Sequence, residues 1–183
     1  MSDYRRWRIE GGTYFFTVVT YQRQRFLVKP QSRKLLREAI EAVRQNHPFE
    51  IVAWVLLPDH LHAVWSLPRG DADYSVRWRQ IKSLFTRNYL LANPVLAANR
   101  PSRQRHEERS VWQSRFYEHT CRDEDDVKRC VDYVHINPVK HGLVDRLVDW
   151  PWSSFHRYVT LGEYPCDWTF SPKEFGEQFD EAE

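Results

Sequence analysis

Two histidines one residue apart, and a tyrosine followed by an amide one helical turn later, are the residues of this chain best suited to chemistry. His60 and His62 fall within Leu57-Pro-Asp-His-Leu-His-Ala-Val64, just after a Pro58-Asp59 turn signal. In an extended strand, side chains two positions apart share a face and sit about 7 Å apart along it. Two imidazoles so placed can converge on one divalent cation if other ligands close the shell. A lone His-x-His is weak evidence, because structural pairs share that spacing. About 70 residues downstream, Tyr133 and Asn137 stand four apart, on the same side of a helix. A phenol, with a pKa of about 10, is a poor nucleophile at neutral pH. It becomes competent against a phosphodiester when a cation polarises the phosphate and stabilises the developing charge. Asn137 then offers an oxygen ligand beside the histidines. His135 and His141 are not assigned as ligands: helical geometry turns His135 away from Tyr133, and His141 lies beyond Pro138. Tyr117 and His119, an i, i+2 pair on a strand, read as structural or DNA-facing.

These residues need elements to hold them. Tyr14-Phe-Phe-Thr-Val-Val-Thr-Tyr21 is rich in β-branched and aromatic residues and predicts a first strand, ending in the basic Gln22-Arg-Gln-Arg25. Pro30 opens a helix with Leu35, Leu36, Ala39, Ile40 and Val43 on one face, stopping near His47-Pro48. Phe49 to Leu57 and His60 to Leu67 form an antiparallel hairpin. On its second strand Leu61, Ala63 and Trp65 share one face, and His60, His62 and Val64 the other. Tyr74 to Leu91 predicts a second helix with Val76, Ile81, Leu84, Phe85 and Asn88 as its stripe. Asn93 to His106 reads as a polar, basic loop, and Val111 to Cys121 as a fourth strand. Asp123 caps a third helix that Pro138 is expected to end. The order β-α-β-β-α-β-α implies an α+β, ferredoxin-like or RRM-like fold: a mainly antiparallel sheet with helices over one face, plus a C-terminal extension. The expected division is a basic arm over 1–12, a catalytic domain over 13–143 and an extension over 144–183.

Composition narrows the partners. The 183 residues are 42% hydrophobic and 28% charged, which suits one globular domain. A net charge of +2 does not by itself announce nucleic acid, so local charge must. From residue 74 to 105 there is no carboxylate, while Arg77, Arg79, Lys82 and Arg87 line the second helix. Arg5, Arg6 and Arg8 crowd the N-terminus. Both groups are expected to contact nucleic-acid phosphates. The eight Trp within a 15% aromatic content would pack the core and also suit stacking on unpaired bases. Cys121, Cys130 and Cys166 lack C-x-x-C spacing, so neither a disulfide framework nor a zinc knuckle is expected. No apolar run approaches a membrane span and the N-terminus lacks a signal-peptide pattern, so a cytoplasmic protein without membrane contact is expected, as monomer or homodimer.

The ensemble resembles the HUH single-tyrosine transposases, and among them the REP-associated tyrosine transposases, relatives of insertion-sequence transposases that act on single-stranded DNA. The carrying segments are Leu56-Leu-Pro-Asp-His-Leu-His62, Val111-Trp-Gln-Ser-Arg-Phe116 and Asp132-Tyr-Val-His-Ile-Asn-Pro-Val-Lys-His-Gly-Leu143. The likeness runs from Tyr14 to Ser154. It implies that Tyr133 attacks a phosphate of single-stranded DNA, giving a 5′-phosphotyrosine and a free 3′-OH. It implies Mg²⁺ or Mn²⁺ held by His60 and His62, with Asn137 standing where insertion-sequence members usually carry Gln. It also implies a substrate with an imperfect hairpin and a single-stranded flank. Two other readings stay open. A non-catalytic RRM-like binder of single-stranded nucleic acid would need Phe16, Tyr21, Trp54 and Trp65 exposed on the sheet. A metal hydrolase without covalent chemistry would leave Tyr133 idle.

Overall fold

The computed structural model of the chain describes residues 7–94 and 111–169. Four antiparallel strands make one sheet: β1 (Thr13–Val19), β2 (Glu50–Leu56), β3 (His60–Ser66) and β4 (Tyr117–Thr120), in the order β2-β3-β1-β4. That order is the ferredoxin-like one expected. Helices α1 (Pro30–Asn46) and α2 (Tyr74–Leu91) run between the strands, and α3 (Glu124–Lys140) and a short α4 (Phe155–Thr160) follow. Pro30 supplies the preset φ of a first helical position, and the Asp73 carboxylate caps α2 by accepting from the Val76 amide at 3.2 Å.

Period-2 alternation divides the sheet into two unlike faces. Tyr14, Phe16 and Val18 of β1 and Leu61, Ala63 and Trp65 of β3 lie in one buried cluster with the inner sides of α1 and α2. Its centre is aromatic: Trp65 stacks on Trp78 of α2 with centroids 4.1 Å apart, and Phe16 meets both edge-on. Phe15, Val64, Ala53 and Val55 lie in a second cluster with Val131, Tyr133 and Val134 of α3. The expectation of helices over one face therefore holds for α1 and α2 and not for α3, which covers the other. The reason is in the strands, whose alternate residues Phe15, Val55 and Val64 are as apolar as their neighbours and need their own cover. Both faces being covered, Phe16 and Trp65 are wholly buried, which removes the stacking platform that an RRM-like binder needs.

Three elements depart from the sequence reading. The buried stripe of α2 is Tyr74, Arg77, Trp78, Ile81, Lys82, Phe85, Thr86 and Tyr89, so Val76 and Leu84 sit at its margins. The fourth strand shrinks to Tyr117–Thr120; before it, Trp112 keeps a single bridge to Thr20, and the carbonyls of Gln113 and Ser114 accept from the Lys82 ammonium at 2.5 and 3.5 Å. Helix α3 does not end at Pro138. Proline lacks the N–H that would reach the Val134 carbonyl, but the His141 amide donates to the Asn137 carbonyl at 2.9 Å and the Leu143 amide to the Pro138 carbonyl at 2.9 Å, so the turn carries past it. The helix stops instead at Gly142, whose φ of 63° is the left-handed conformation that glycine adopts freely.

Beyond α3 the chain returns to the sheet. The Leu56 amide donates to the Trp152 carbonyl, the Ser154 amide to the Trp54 carbonyl, and the Trp150 indole to the Leu56 carbonyl. With the Val55–Ser153 bridge, this stretch lines the outer edge of β2. No described helix is long and apolar enough to cross a membrane.

Candidate active site

The site grows from the β2–β3 turn. Leu57-Pro58-Asp59 is pinned from both sides: the Leu27 amide donates to the Pro58 carbonyl, and the Thr20 amide and hydroxyl both donate to the Asp59 carbonyl at 2.8 Å. His60 therefore leaves the turn in a fixed direction. Its Nδ1–H donates to Asp59 Oδ1 at 2.7 Å, which turns Nε2 inward. Thr17 lies directly across from His62 in the β1–β3 register, and its hydroxyl is hydrogen-bonded to His62 Nδ1 at 2.8 Å. Each histidine thus has one ring nitrogen tied down by a partner, the usual way of setting tautomer and orientation in a metal-ligating imidazole.

His60 and His62 stand with ring centroids 4.9 Å apart, and His141 joins them, 5.0 Å from His60. One ligand atom from each of the three lies within 4.8 Å of the others, a possible histidine metal site. The inclusion of His141 corrects the sequence reading, which set it aside as lying beyond Pro138. Because α3 winds on through that proline, His141 comes back over the β2–β3 turn. His135 does face away as expected: its Nε2 is 2.9 Å from Ser154 Oγ, and its ring sits among Phe155, Tyr158 and Tyr164.

Tyr133, buried on α3, points its ring at this cluster, edge-on to His62 at 5.4 Å and to Phe15 at 5.6 Å. Lys140, two turns on, donates to the phenol oxygen at 3.2 Å. Asn137 is fully buried beside Tyr133 in the helix.

Polar atoms in this region fit a cation. His60 Nε2 and Asn137 Oδ1 are both buried and make no hydrogen bond within the described residues. Leaving such an atom unsatisfied costs on the order of 1–3 kcal/mol, a penalty that a ligated ion removes. Burial lowers the His60 pKa against the opposing pull of Asp59, so the ring is neutral at neutral pH with its lone pair available. Burial works to raise the Asp59 carboxyl, but the hydrogen bond and charge of His60, with Arg23, outweigh it and hold it below the usual range. Three imidazoles whose ligand atoms lie within 4.8 Å of one another are donors of the kind a first-row divalent ion takes.

Of the basic residues singled out in the sequence, Arg5 and Arg6 lie outside the described residues. Arg8 donates to Ser75 Oγ at 3.1 Å and lies over the Tyr74 ring. Arg77 and Lys82 are not on a DNA-facing flank. Arg77 is 1% exposed and bridges Asp71, with a further bond to the Pro48 carbonyl, while Lys82 is committed to residues 113–114. In a carboxylate-free helix these cations found partners outside the helix, which helix-local charge counting does not reveal. Arg79 and Arg87 are exposed, on the helix that packs against the sheet face opposite Tyr133.

Different cations flank the site. Arg23 and Arg25 line a cleft of about 200 Å³ with Asp59, His60, His141 and Leu143. Gln22 and Arg23 both have φ of 52°, an uncommon conformation for non-glycine residues, and this turn brings the Arg23 guanidinium within 3.3 Å of Asp59 Oδ2. Asp59, Thr17 and Arg23 were missed in the sequence. The only signal for Thr17 was its facing position once β1 and β3 are paired.

Known proteins share both the sequence and the shape. The profile of the family described as "Transposase IS200 like" matches residues 9–137. A protein of Escherichia coli K12 named "REP-associated tyrosine transposase" is 46% identical over 175 residues, covering 96% of this chain and 95% of its own. A Haemophilus influenzae relative is 41% identical over 172 residues, covering 94% and 96%. A solved structure of a REP-associated tyrosine transposase bound to a REP hairpin superposes with a TM-score of 0.78 at 47% identity, covering 93% of each chain. The chain belongs to the IS200-like transposase family of DNA-rearranging enzymes and stands, within it, with the REP-associated tyrosine transposases.

Proposed function

We propose that this transposase cleaves and rejoins single-stranded DNA in the flank of a REP-like hairpin, with Tyr133 as nucleophile. The observation that carries the assignment is the Tyr133 ring packed 5.4 Å from His62, beside the cluster of His60, His62 and His141. The solved relative, bound to a REP hairpin, supports the hairpin as the recognised element. The phenol oxygen bonds to phosphorus, the bond from phosphorus to the 3′ oxygen breaks, and that oxygen takes up a proton. The products are a 5′-phosphotyrosine and a 3′-OH that can reverse the step. Lys140, donating to the phenol oxygen, offsets the negative charge that this oxygen gains as its proton leaves.

His60, His62 and His141 would hold the divalent metal, with Asn137 Oδ1 as an oxygen ligand; Asp59 and Thr17 orient the first two rings. When bound there, Mg²⁺ or Mn²⁺ would supply polarisation of the scissile phosphate. Imidazole ligands favour Mn²⁺ over Mg²⁺. Arg23 and Arg25 are placed to take neighbouring phosphates, with Arg79, Arg87, Arg8 and the basic residues before it meeting more distant backbone. Residues 13–143 act as the catalytic domain, and the stretch from 144 supports its sheet edge. The working unit is a monomer or homodimer in the cytoplasm, where its DNA lies.

A denaturing gel with end-labelled DNA tests this reading. A hairpin with a single-stranded flank, given Mg²⁺ or Mn²⁺, should yield a covalent protein–DNA band, while the same sequence as perfect duplex should not. Cleavage without an adduct would favour a hydrolase, and binding alone a non-catalytic module.

A further inference from the structure

A second group of soft donors gathers where β4 runs into α3. His119 and Cys121 are two apart along an extended segment and so face the same side. Cys130, in the second turn of α3, meets them there, and one ligand atom from each of the three lies within 4.8 Å of the other two. Both cysteines are free thiols, and their sulfurs are 3.7 Å apart. A tetrahedral ion with Zn–S bonds of about 2.3 Å holds two sulfurs roughly 3.8 Å apart, so this pair already has the span of a zinc chelate. His119 Nε2 is 2.9 Å from Asp126 Oδ2, the carboxylate–imidazole contact that orients metal-binding histidines. Asp126 is itself fixed by the Arg122 amide at 3.0 Å. Cys121 also lines a surface cleft of about 330 Å³ with Thr13, Arg122, Asp123, Glu124 and Val127, which brings this end of the trio to the surface.

We propose that His119, Cys121 and Cys130 form a zinc site of three protein ligands with its fourth position left to solvent, separate from the histidine cluster beside Tyr133. On binding, the two thiols release their protons to solvent and ligate as thiolates, and His119 adds a neutral ring nitrogen. Thiolate and imidazole select zinc over Mg²⁺ or Mn²⁺, whereas the all-nitrogen and oxygen set of the other cluster suits harder ions, so the two sites sort their metals. Cys130 precedes Tyr133 by three residues on α3. The ion would therefore tie the nucleophile's helix to the edge of the sheet. The C-x-x-C spacing that marks a zinc knuckle is absent because the ligands come from a strand pair and a helix nine residues on.

Cobalt substitution tests the site, since only thiolate ligands give a sulfur-to-cobalt charge-transfer band. Reduced full-length protein titrated with Co²⁺ should develop that band at one equivalent and lose it on adding Zn²⁺. The band should persist in a His60→Ala, His62→Ala double variant and vanish in Cys121→Ser and in Cys130→Ser. A second measurement needs no core substitution. In the wild type, Zn²⁺ should slow alkylation of Cys121 and Cys130 through local opening at least tenfold, with exposed Cys166 reacting as before. No thiolate band in the folded wild type, a band that survives both serine variants, or alkylation indifferent to zinc would overturn the proposal. So would a Cys121–Cys130 disulfide whose reduction restores no metal uptake.

Discussion

The two faces of the sheet are cut from the same strands, yet they have been finished in opposite ways. Under α1 and α2 the buried cations have partners, Arg77 in Asp71 and the Pro48 carbonyl and Lys82 in the carbonyls of Gln113 and Ser114, and the atoms there that lack a hydrogen bond among the described residues include the indole N–H groups of Trp65, Trp78 and Trp112, donors that cannot ligate a cation. Under α3, His60 Nε2 and Asn137 Oδ1 are buried with no hydrogen bond inside the described residues. The first face gains stability from area and aromatic packing. The second leaves acceptor atoms unmatched on the side of Tyr133, which lowers stability unless something else ligates them. A fold of this kind separates the two demands by giving alternate residues of each strand to different layers.

The sharpest way to break this contrast is Tyr133→Phe. Removing one hydroxyl should abolish adduct and cleavage on a denaturing gel while DNA affinity, read by anisotropy, stays within a few-fold. Cleavage at the wild-type rate would remove the reactive face's claim. Next come His60→Ala and His62→Ala, each of which should lower metal-dependent cleavage by about 10²-fold or more, in keeping with the removal of electrostatic transition-state stabilisation. Circular dichroism should show an intact fold, and chelation of the wild type should mimic the defect. On the other face the outcomes should reverse. Trp78→Ala ought to cost about 3–5 kcal/mol in denaturant melts, with cleavage per folded molecule unchanged well below the transition.

Charge offers a subtler test. Replacing exposed Arg79 and Arg87 with Ala should flatten the salt dependence of DNA binding, by about 0.7 in the log–log slope for each phosphate no longer neutralised. Arg77→Ala should lower stability and leave that slope alone; a flattened slope there would mean that Arg77 reaches DNA. The smallest effect concerns acid. The Arg77 hydrogen bond and charge hold the Asp71 carboxyl below its usual value. A carboxyl depressed in the folded state adds stability that is present above the unfolded pKa of about 3.9 and fades as pH falls through the lower folded value. Asp71→Asn should therefore reduce stability at neutral pH and shrink the acid-induced loss below about pH 4, followed by fluorescence melts.

Much of this was legible in the residues because it rests on short-range rules. Alternation put His60 and His62 opposite Leu61 and Trp65, Pro30 and Pro48 bracketed α1, and Asp123 announced the start of α3. What escaped depended on partners distant in sequence. Arg77 and Lys82 looked solvated because nothing local to α2 marks Asp71 or the 113–114 carbonyls as theirs. Pro138 looked terminal because a proline removes one helical hydrogen bond, while the bonds that carry α3 on are made by the residues after it. That one error hid His141, since a helix ending at Asn137 would never bring it back to His60. Thr17 and Asp59 became visible as orienting groups only once β1 and β3 were in register and the turn was closed.

The stretch from Trp150 to Ser154 has a practical consequence. It occupies the outer side of β2, whose amides and carbonyls would otherwise form an open edge. Open edges recruit strands from other molecules. The family match ends at residue 137, and trimming the chain a few residues later, after Leu143, would strip this cover. The shortened protein should keep His60, His62, His141 and Tyr133 yet self-associate through β2, so that light scattering, rather than a failure of its chemistry, would be the first sign of damage.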